Sequence, residues 1–565
     1  MAVFRALCLL FVVFFMGMLY WSSLVLEETM RQIRKEIKAL QVEIDDLSVV
    51  QTTHYQKDKK EFVVSDRPNL VEPDPFDTQV LPTLLPAGFK PKGTLVDDVL
   101  GKPVDLSPFS GWAQNSVWQG LCVPRLVRLK FGRYETYAED LAYRVEERMR
   151  EDVPVPEFWV YLRPGVMWQP LQREWFSEEI SLDPHFLKPH EVTAHDVKFW
   201  FDAMRNPHNQ EMGAIAMRTI MEDLESVEVI DDHTFVARWR PHKVVDEAGG
   251  VSYKISFVAR QLTGGLDLLP RFVYQYYPNG QKIVEDDAEP NTYQTHAVWA
   301  QQFARHWARN IIIGCGSWYF DGKTDEQVRF RRNPDHYFPL DALAMRSEYR
   351  FKDSTQAIWQ SFIEGVTDTY VLSSAQLMEY EQFMQSPTYK QQKEEGKEIH
   401  RLDYLSGGYN YIGWNEANPL FQSKEVRQAL TLAIDRERII KQLIHGMGVQ
   451  PTSPIRLSSP SNNPNIQPWP FNPLEAKRLL KANGWQDTDG DGILEKEIDG
   501  VRIPFRFKFS YYVKSPIAKA IGELIATSLK GIGIDCQLWG VDLTDLSQLT
   551  DDKDFDAIML GWSSG

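Results

Sequence analysis

The chain has 565 residues, of which 43% are hydrophobic and 25% are charged, a composition typical of globular proteins. A single hydrophobic core rarely serves a chain of this length, so we expect two or three domains. The net charge of −16 argues against nucleic acid as a partner, because affinity for nucleic acid comes from Lys and Arg side chains that neutralise phosphates.

The amino terminus carries an uncharged run at residues 6–26, and about 20 apolar residues suffice for a helix to cross a bilayer. Arg5 precedes the run and Glu27 follows it, so the N-terminus is expected in the cytoplasm. The run exceeds the roughly 7–15 apolar residues of a cleavable signal and ends without a small-residue cleavage site. We predict that residues 1–26 form a cytoplasmic stub and a single-pass anchor in the inner (cytoplasmic) membrane, with the bulk of the chain in the periplasm or extracytoplasmic space.

Residues 27–50 predict a coiled-coil-like helix that continues from the anchor. Apolar side chains alternate at spacings of four and three, as in a coiled-coil seam: Leu26, Met30, Ile33, Ile37, Leu40, Ile44 and Leu47. Two interpretations stay open, a helix packed against its own domain and a parallel coiled coil that forms a homodimer at the membrane surface. The Pro-rich residues 51–91 predict an extended linker and entry segment.

Short β-rich runs alternate with helical runs after the linker. FWVYLRP predicts a strand that ends at Pro164, and Thr193 with Asp196 predicts the N-cap and the capping-box partner of a helix. VEVIDDHTFVARW predicts a hairpin that turns at residues 231–233. Further strands are predicted by QVRFRRN, SEYRFK and IPFRFKFSYYV. This alternation indicates an α/β architecture with two lobes.

The stretch from Asn415 to Gly448 predicts a polar entry followed by one strong amphipathic helix. Its apolar positions recur at helical spacing, namely Val426, Leu430, Ala433, Ile434 and Ile440. As a string, VRQALTLAIDRERII closely resembles the signature of the extracytoplasmic solute-binding proteins that serve peptide-type ABC importers. This segment therefore suggests a family as well as a helix.

Further blocks resemble the same family, in the expected order along the chain. They include VYLRPGVMW and VTAHDVKFWFDAM within residues 159–204, GCGSWYFDGKTDEQVRFRRNPDHY at 314–337, NPLEAKRLLKANGW at 472–485, and the strand and helix segments within 531–561. Several ordered blocks over roughly residues 85–565 are more specific than any single short motif. The chain is therefore identified as resembling a member of this family.

The resemblance implies a fold of the α/β class, a two-lobed, periplasmic-binding-protein-like (class II) clamshell preceded by the transmembrane helix and the short coiled-coil helix. Lobe 1 is expected at residues 92–348 and lobe 2 at residues 349–565. Family members usually continue past the point where this sequence stops at GWSSG. We therefore expect the C-terminal part of the fold, the return to lobe 1, to be missing.

The ligand site implied by the resemblance lies in aromatic motif segments, because aromatic rings can stack on a ligand or wall it in. The predicted ligand-binding residues are Tyr409, Tyr411, Trp414, Asn415, Trp318 and Trp562. In the peptide-binding members, an Asp three residues after the Trp of a late Gly-Trp motif pairs with the α-ammonium of the peptide. Counted from Trp562, that position here is Gly565, so the family is better supported than a peptide ligand.

No metal or cofactor is assigned from the sequence. Asp487, Asp489 and Asp491 match the first half of a calcium loop, but Ile498 stands where such a loop carries a bidentate Glu. An Asp/Gly-rich turn is the alternative. Cys122, Cys315 and Cys536 are compatible with one disulfide whose pairing the sequence does not assign.

No catalytic set is found either, so an enzyme is not expected. Residues 561–565 match G-x-S-x-G, but a nucleophile elbow requires a following helix and later Asp and His partners. His190, Glu191 and His195 are one residue out of the zinc-protease spacing.

We expect a membrane-anchored, extracytoplasmic substrate-binding component of a peptide-type ABC importer. It would hold a small ligand, such as a peptide, between its lobes by hinge closure and deliver it to an ABC permease. The alternative is a non-transport sensory or structural receptor on the same scaffold that dimerises through the N-terminal helix.

Overall fold

A computed structural model describes residues 65–110, 113–132, 136–246, 249–405, 407–457, 459 and 461–562. The predicted anchor, the coiled-coil-like helix and most of the linker therefore lie outside the described residues, as do residues 563–565. Across the described ranges, no helix has the length and apolar character needed to span a membrane. The chain divides into units at residues 1–67 and 68–565, and the fold below is that of the second unit.

A first hydrophobic core extends along the chain from Val71 to Tyr349. Its strands are β1 Thr94–Leu100, β2 Val127–Leu129, β3 Tyr137–Glu139, β4 Ala142–Met149, β5 Pro156–Leu162, β6 Met167–Trp168, β7 His190–Glu191, β8 Leu224–Asp231, β9 Thr234–Trp239, β10 His242–Val245, β11 Val251–Lys254, β12 Trp318–Lys323, β13 Gln327–Arg332 and β14 Arg346–Lys352. They form sheets with the strand orders β1-β14-β13-β12, β4-β5-β9-β8, β2-β3, β6-β7 and β10-β11.

A second core extends from Leu420 to Ala557. Its strands are β15 Tyr409–Trp414, β16 Glu495–Ile498, β17 Val501–Pro504, β18 Arg506–Tyr512, β19 Asp535–Val541 and β20 Ala557–Trp562. The main sheet has the order β15-β20-β18-β19, and β16 pairs with β17 in a separate hairpin. The predicted division at residues 348–349 falls within β14, and the domain limits stay a prediction.

The described ranges contain ten helices of eight or more residues. They are α1 Ala113–Cys122, α2 Ala194–Arg205, α3 Met212–Ile220, α4 Thr355–Ile363, α5 Leu377–Gln385, α6 Pro387–Glu394, α7 Lys424–Ala433, α8 Pro473–Ala482, α9 Pro516–Lys530 and α10 Leu543–Asp552. Shorter helical turns include Leu81–Leu84, Ala259–Gly264, Arg271–Tyr274, Thr292–Thr295, Ala297–Gln301 and Arg436–Arg438.

The local predictions for the first core are confirmed. β5 ends before Pro164, and β8 and β9 form the predicted hairpin, with Asp231 opposite Thr234. At the start of α2 the backbone N–H of Thr193 donates to Asp196 Oδ2 at 2.9 Å, which completes the capping box. The same buried carboxylate accepts from Trp168 Nε1 at 3.1 Å, so this helix cap is also tied to the core.

The prediction of one continuous helix after residue 415 is wrong. Helix α7 ends at Ala433, Ile434 is extended, and a new helical turn begins at Arg436. Asp435 caps this second turn by accepting a hydrogen bond from the backbone N–H of Arg438 at 2.9 Å. Because Asp is among the strongest N-cap residues, it starts a new helix here and interrupts the old one.

The end of α1 is in backbone contact with the GCGSW segment. The N–H groups of Cys315 and Gly316 both donate to the carbonyl oxygen of Cys122, at 2.8 and 2.6 Å. A Cβ atom on Gly316 would lie 2.8 Å from that same oxygen. The three cysteines of the described chain are free.

We expect Gly316→Ala to lower the free energy of unfolding by about 1–3 kcal/mol, because the clash is with a backbone atom and the strain cannot be relieved by a rotamer change. Chemical denaturation measures this loss. The matched control is Gly120→Ala in α1, where a Cβ would meet no atom within 4 Å. This substitution should stabilise the helix by about 0.5–1 kcal/mol, because Ala loses less backbone entropy than Gly. Equal changes in the free energy of unfolding for the two substitutions would contradict the close contact between Gly316 and Cys122.

A buried carboxylate in the first core gives the fold a specific pH dependence. Asp140 accepts a hydrogen bond from Tyr337 Oη at 2.6 Å, and burial raises the pKa of the Asp140 carboxyl from 3.8 to about 7. Between these two pH values the native state retains a proton that the unfolded state has lost. The contribution of Asp140 to the free energy of unfolding is therefore fully present below pH 3.8 and decreases as the pH rises toward 7.

We expect the unfolding free energy of the wild type, relative to Asp140→Asn, to fall by an amount on the order of 4 kcal/mol between about pH 4 and about pH 7.5. Urea denaturation at the two pH values measures the difference. Glu151→Gln, at an exposed turn position, controls for loss of a surface carboxylate. Parallel pH profiles for the wild type and Asp140→Asn would exclude the assignment.

Candidate functional site

The second sheet brings several strand ends to one edge. β18 runs parallel to β19 and β20, whereas β15 is antiparallel to β20. The carboxyl ends of three strands, at Tyr512, Val541 and Trp562, therefore share an edge with Tyr409 at the start of β15. In open α/β sheets, ligands bind outside the carboxyl ends of the strands.

We define the aromatic edge as Tyr409, Tyr411, Tyr512 and Trp562. Tyr409 stands opposite Trp562 in the register, and Tyr411 stands opposite Leu560, so these side chains share one face of the sheet. The rings of Tyr409 and Tyr411 lie 6.0 Å apart, and Trp562 is 61% exposed. Tyr512 is half-buried against a small apolar cluster that includes Leu546 of α10.

This arrangement leaves aromatic surface available to a solute. Tyr409 and Tyr411 are each half-buried, which means that the sheet supports one side of each residue while another remains open. Rings held in this way bury apolar ligand surface at low entropic cost, and the tyrosine hydroxyls can form hydrogen bonds with the ligand. The edge can therefore bind and orient a ligand. Binding of this kind requires no group suited to covalent chemistry.

Trp414, although only five residues from Tyr409, lies on the opposite face of β15. Its ring packs against Phe421 at 5.1 Å and Phe507 at 5.8 Å, within the second core. The side chains of a strand alternate between its two faces, and this alternation separates Trp414 from the two tyrosines. Its position is that of a core residue.

Asn415 and Trp318 also lie away from the aromatic edge. Asn415 follows the carboxyl end of β15, at the other edge of the sheet, and its Nδ2 donates to the carbonyl oxygen of Phe555 at 2.8 Å. Trp318 begins β12 in the first core and is 7% exposed. The structure thus brings together Tyr409, Tyr411 and Trp562 of the six predicted residues, and their ligand role stays a prediction.

Tyr512 is the member of the edge that the sequence analysis missed. The strand IPFRFKFSYYV was recognised, but its last residues were not connected with Trp562. The available signal was the position of Tyr512 at the carboxyl end of a strand followed by a helix, the usual location of ligand-facing residues in α/β sheets. Its pairing with β19 and β20 is not visible in the sequence.

A concavity of about 510 Å³ lies beside Asn415, at the other edge of the same sheet. Asn418 Nδ2 donates to Asp556 Oδ1 at 2.7 Å, and the backbone N–H of Lys508 donates to Asp556 Oδ2 at 2.9 Å. The Lys508 ammonium lies 4.7 Å from the ring centre of Trp539. These polar groups already pair with one another, so we place the candidate site at the aromatic edge.

The acidic loop at residues 487–491 has the hydrogen bonding of a turn. Asp487, Asp489 and Asp491 are exposed, with carboxylate oxygens within 4.8 Å of one another. Asp487 accepts from the backbone N–H groups of Gly490 and Gly492, at 2.7 and 3.0 Å. This is how Asp stabilises an Asp/Gly-rich turn, and we assign no ion to the loop.

Comparison with known proteins identifies similar chains. Residues 157–565 match the family described as "Bacterial extracellular solute-binding proteins, family 5 Middle". The chain is 39% identical to the oligopeptide-binding protein AppA of Bacillus subtilis over 164 residues, which is 28% of this chain and 29% of that protein. It is 22% identical to heme-binding protein A of Haemophilus influenzae over 388 residues, 67% of this chain and 60% of that protein. The matches thus span less than two thirds of these relatives.

The fold is also shared with solved structures. The structure of AppA from Bacillus subtilis in complex with a nonapeptide aligns with a TM-score of 0.56 at 22% identity, covering 84% of this chain and 80% of that one. At this identity the similarity establishes the fold alone, a two-lobed α/β architecture.

The two faces of β15 and β20 should respond differently to truncation. We expect Trp414→Ala to lower the unfolding free energy by about 2–4 kcal/mol, because it opens a cavity against two phenylalanine rings. Trp562→Ala should change it by no more than about 0.5 kcal/mol, because the side chain is largely exposed. Guanidinium denaturation of both variants tests this, and losses of similar size would refute the assignment of the two faces.

Proposed function

Because this chain belongs to the bacterial extracellular solute-binding proteins of family 5, we propose that it captures a small solute at the aromatic edge and presents it to the permease of an ABC importer. Members of the family are binding proteins and not enzymes, so the protein has no catalytic step to explain. The observation that carries the proposal is the convergence of Tyr409, Tyr411 and Trp562 on the carboxyl-end edge of the second sheet.

The solute we propose is a peptide. The relative with 39% identity over 164 residues is named an oligopeptide-binding protein, whereas a relative at 22% identity is named a heme-binding protein. The aromatic edge suits a peptide because half-buried tyrosines provide both flat apolar surface and hydroxyl groups. Because one relative is named a heme-binding protein, the identity of the solute has to be measured directly.

Capture would proceed by a change in the population of two states. Tyr409 begins β15 immediately after the connection from α6, and Trp562 is paired beside it. A solute bound at this edge would therefore contact both β15 and β20, the first and the last strand of the second sheet in chain order. If the closed state makes more contacts with the solute than the open state, binding favours closure, and a permease can recognise that state.

The location we propose is extracytoplasmic, with the uncharged run at residues 6–26 as the anchor in the cytoplasmic membrane. The family is one of extracellular proteins, and the length of the run supports a membrane span. Resistance of the native protein to extraction at alkaline pH, followed by release with detergent, tests the anchor. Release at alkaline pH alone would refute it.

A second candidate function is supported by the heptad spacing of Leu26 to Leu47. A receptor that dimerises through this segment would be a sensory or structural protein on the same scaffold. Sedimentation of the detergent-extracted protein distinguishes the two: a stable dimer that retains no peptide favours the receptor, and a peptide-retaining protein favours the importer component.

The aromatic edge should contribute strongly to affinity. We expect the double substitution of Tyr409→Ala and Trp562→Ala to weaken binding of a peptide by about thirtyfold or more, since the loss of even one buried aromatic anchor costs about 2 kcal/mol or more. Native mass spectrometry of the protein with a pool of short synthetic peptides identifies a ligand, and calorimetry then measures its affinity.

Trp469→Ala is the matched control, because Trp469 is a tryptophan of similar exposure, at 49%, that lies outside the aromatic edge. Its affinity should equal that of the wild type. Unchanged affinity in the double variant would place the ligand elsewhere.

A further inference from the structure

The concavity beside Asn415 has walls that are held in place by hydrogen bonds. Asn415 Nδ2 donates to the carbonyl oxygen of Phe555 at 2.8 Å. Both carboxylate oxygens of Asp556 also accept, Oδ1 from Asn418 Nδ2 at 2.7 Å and Oδ2 from the backbone N–H of Lys508 at 2.9 Å. The loop after β15, the segment before β20 and strand β18 are therefore fixed to one another around this space.

Ser510 lines the concavity and has a hydroxyl group without a partner. The residue is 0% exposed, and among the described residues no group forms a hydrogen bond with its Oγ atom. On β18 its side chain shares a face with that of Lys508, two residues earlier, and it stands opposite Trp539 of β19 in the register. Buried hydroxyls usually have a partner, and one that lines a cavity can obtain its partner from a bound molecule.

The Lys508 ammonium provides a positive charge on the same wall. It lies 4.7 Å from the centre of the Trp539 ring, and no carboxylate oxygen in the described part of the chain lies within 4 Å of it. Contact with an aromatic ring stabilises the ammonium but does not neutralise it. Trp539 is 41% exposed, so part of its ring surface remains open to a ligand.

The groups that remain open in the concavity are mainly hydrogen-bond donors. The oxygens of Asp556 are engaged in the walls, whereas the Lys508 ammonium and the Ser510 hydroxyl can still donate. Lys553 also lines the space and is exposed. Asp554 is an exposed carboxylate in the same lining and opposes this trend. A ligand that accepts hydrogen bonds through a negative group therefore meets more complementary groups than a cation does.

The packing of the second core does not account for these side chains. The other face of β18 carries Phe507 and Phe509, which are buried in that core. Lys508 and Ser510 point away from it, because side chains alternate along a strand. Alanine at position 510 would avoid the cost of desolvating a hydroxyl group, and such departures from the locally favourable residue are typical of functional sites.

We propose that this concavity is a second binding site, which takes a small organic carboxylate with a flat apolar group. The carboxylate accepts hydrogen bonds from the Lys508 ammonium and the Ser510 hydroxyl, and the flat group lies against the open part of the Trp539 ring. Since Ser510 is fully covered, binding includes a rotation of the exposed side chains beside it. The volume of about 510 Å³ lies in the range of small-molecule sites.

The test uses benzoate as the probe, because it carries a carboxylate on a flat ring. Titrations of the full-length protein, followed by ligand-observed NMR, compare benzoate with acetate, which lacks the ring, and with benzamide, which lacks the charge. We expect saturable binding of benzoate and weaker binding of both other compounds. Lys508→Met should weaken benzoate binding by about tenfold and Ser510→Ala by about threefold, because each removes a hydrogen bond to the carboxylate. Asp554→Asn should strengthen binding, because it removes a negative charge from the lining.

Two controls separate recognition from folding. Lys530→Met removes an exposed lysine at the end of α9, outside the concavity, and should leave the affinity for benzoate unchanged. The melting temperature of Ser510→Ala should be equal to or higher than that of the wild type, because the hydroxyl has no partner to lose. A lower melting temperature would show that the hydroxyl stabilises the fold and would overturn its assignment to the ligand.

The remaining outcomes also decide the proposal. The absence of saturable benzoate binding would overturn it, and so would equal affinities of the wild type and Lys508→Met. A larger loss of benzoate affinity in Trp562→Ala than in Lys508→Met would place the probe at the aromatic edge and would overturn the second site. None of these results affects the proposed capture of a solute at the aromatic edge, which is tested with peptides.

Discussion

The pairing of β15 with β20 is the constraint on which the candidate site depends. Six register pairs, from Tyr409 opposite Trp562 to Trp414 opposite Ala557, join stretches of chain separated by most of the second core. Bringing such distant segments together costs chain entropy, and the apolar packing of Trp414 against Phe421 and Phe507 offsets part of that cost. Without this pairing the second sheet would lose β15, and Tyr409 and Tyr411 would not lie beside Trp562.

The same pairing gives neighbouring aromatic residues different roles. Because side chains alternate along a strand, Tyr409 and Tyr411 share a face with Trp562, whereas Trp414 faces the core. A single strand thus contributes both to the stability of the second core and to the surface proposed to bind the solute. This division explains how the site can be rigid. Its open rings are held by residues on the reverse face that pack at the density of a protein interior.

The first core is stabilised by close contacts between segments that are distant in the sequence. Its backbone packs so closely at the GCGSW segment that a Cβ on Gly316 would lie 2.8 Å from a carbonyl oxygen, and carboxylates such as Asp98 are closed by arginine partners. Both contacts join residues that are distant in the sequence, so the first core, like the second sheet, depends on the packing of separated segments.

The sequence by itself determined the features that arise between near neighbours in the chain. The capping box of Thr193 and Asp196, the β8–β9 hairpin and the alternation of strands and helices depend on local hydrogen bonding and on side-chain periodicity, both of which the sequence displays. Only the tertiary structure decided the common edge formed by Tyr409, Tyr512 and Trp562, the separation of Asn415 and Trp318 from that edge, and the backbone contact of Gly316 with Cys122. These features depend on which distant segments pack together, and the free energy of such contacts is distributed over the whole core and is not encoded in any single stretch of residues.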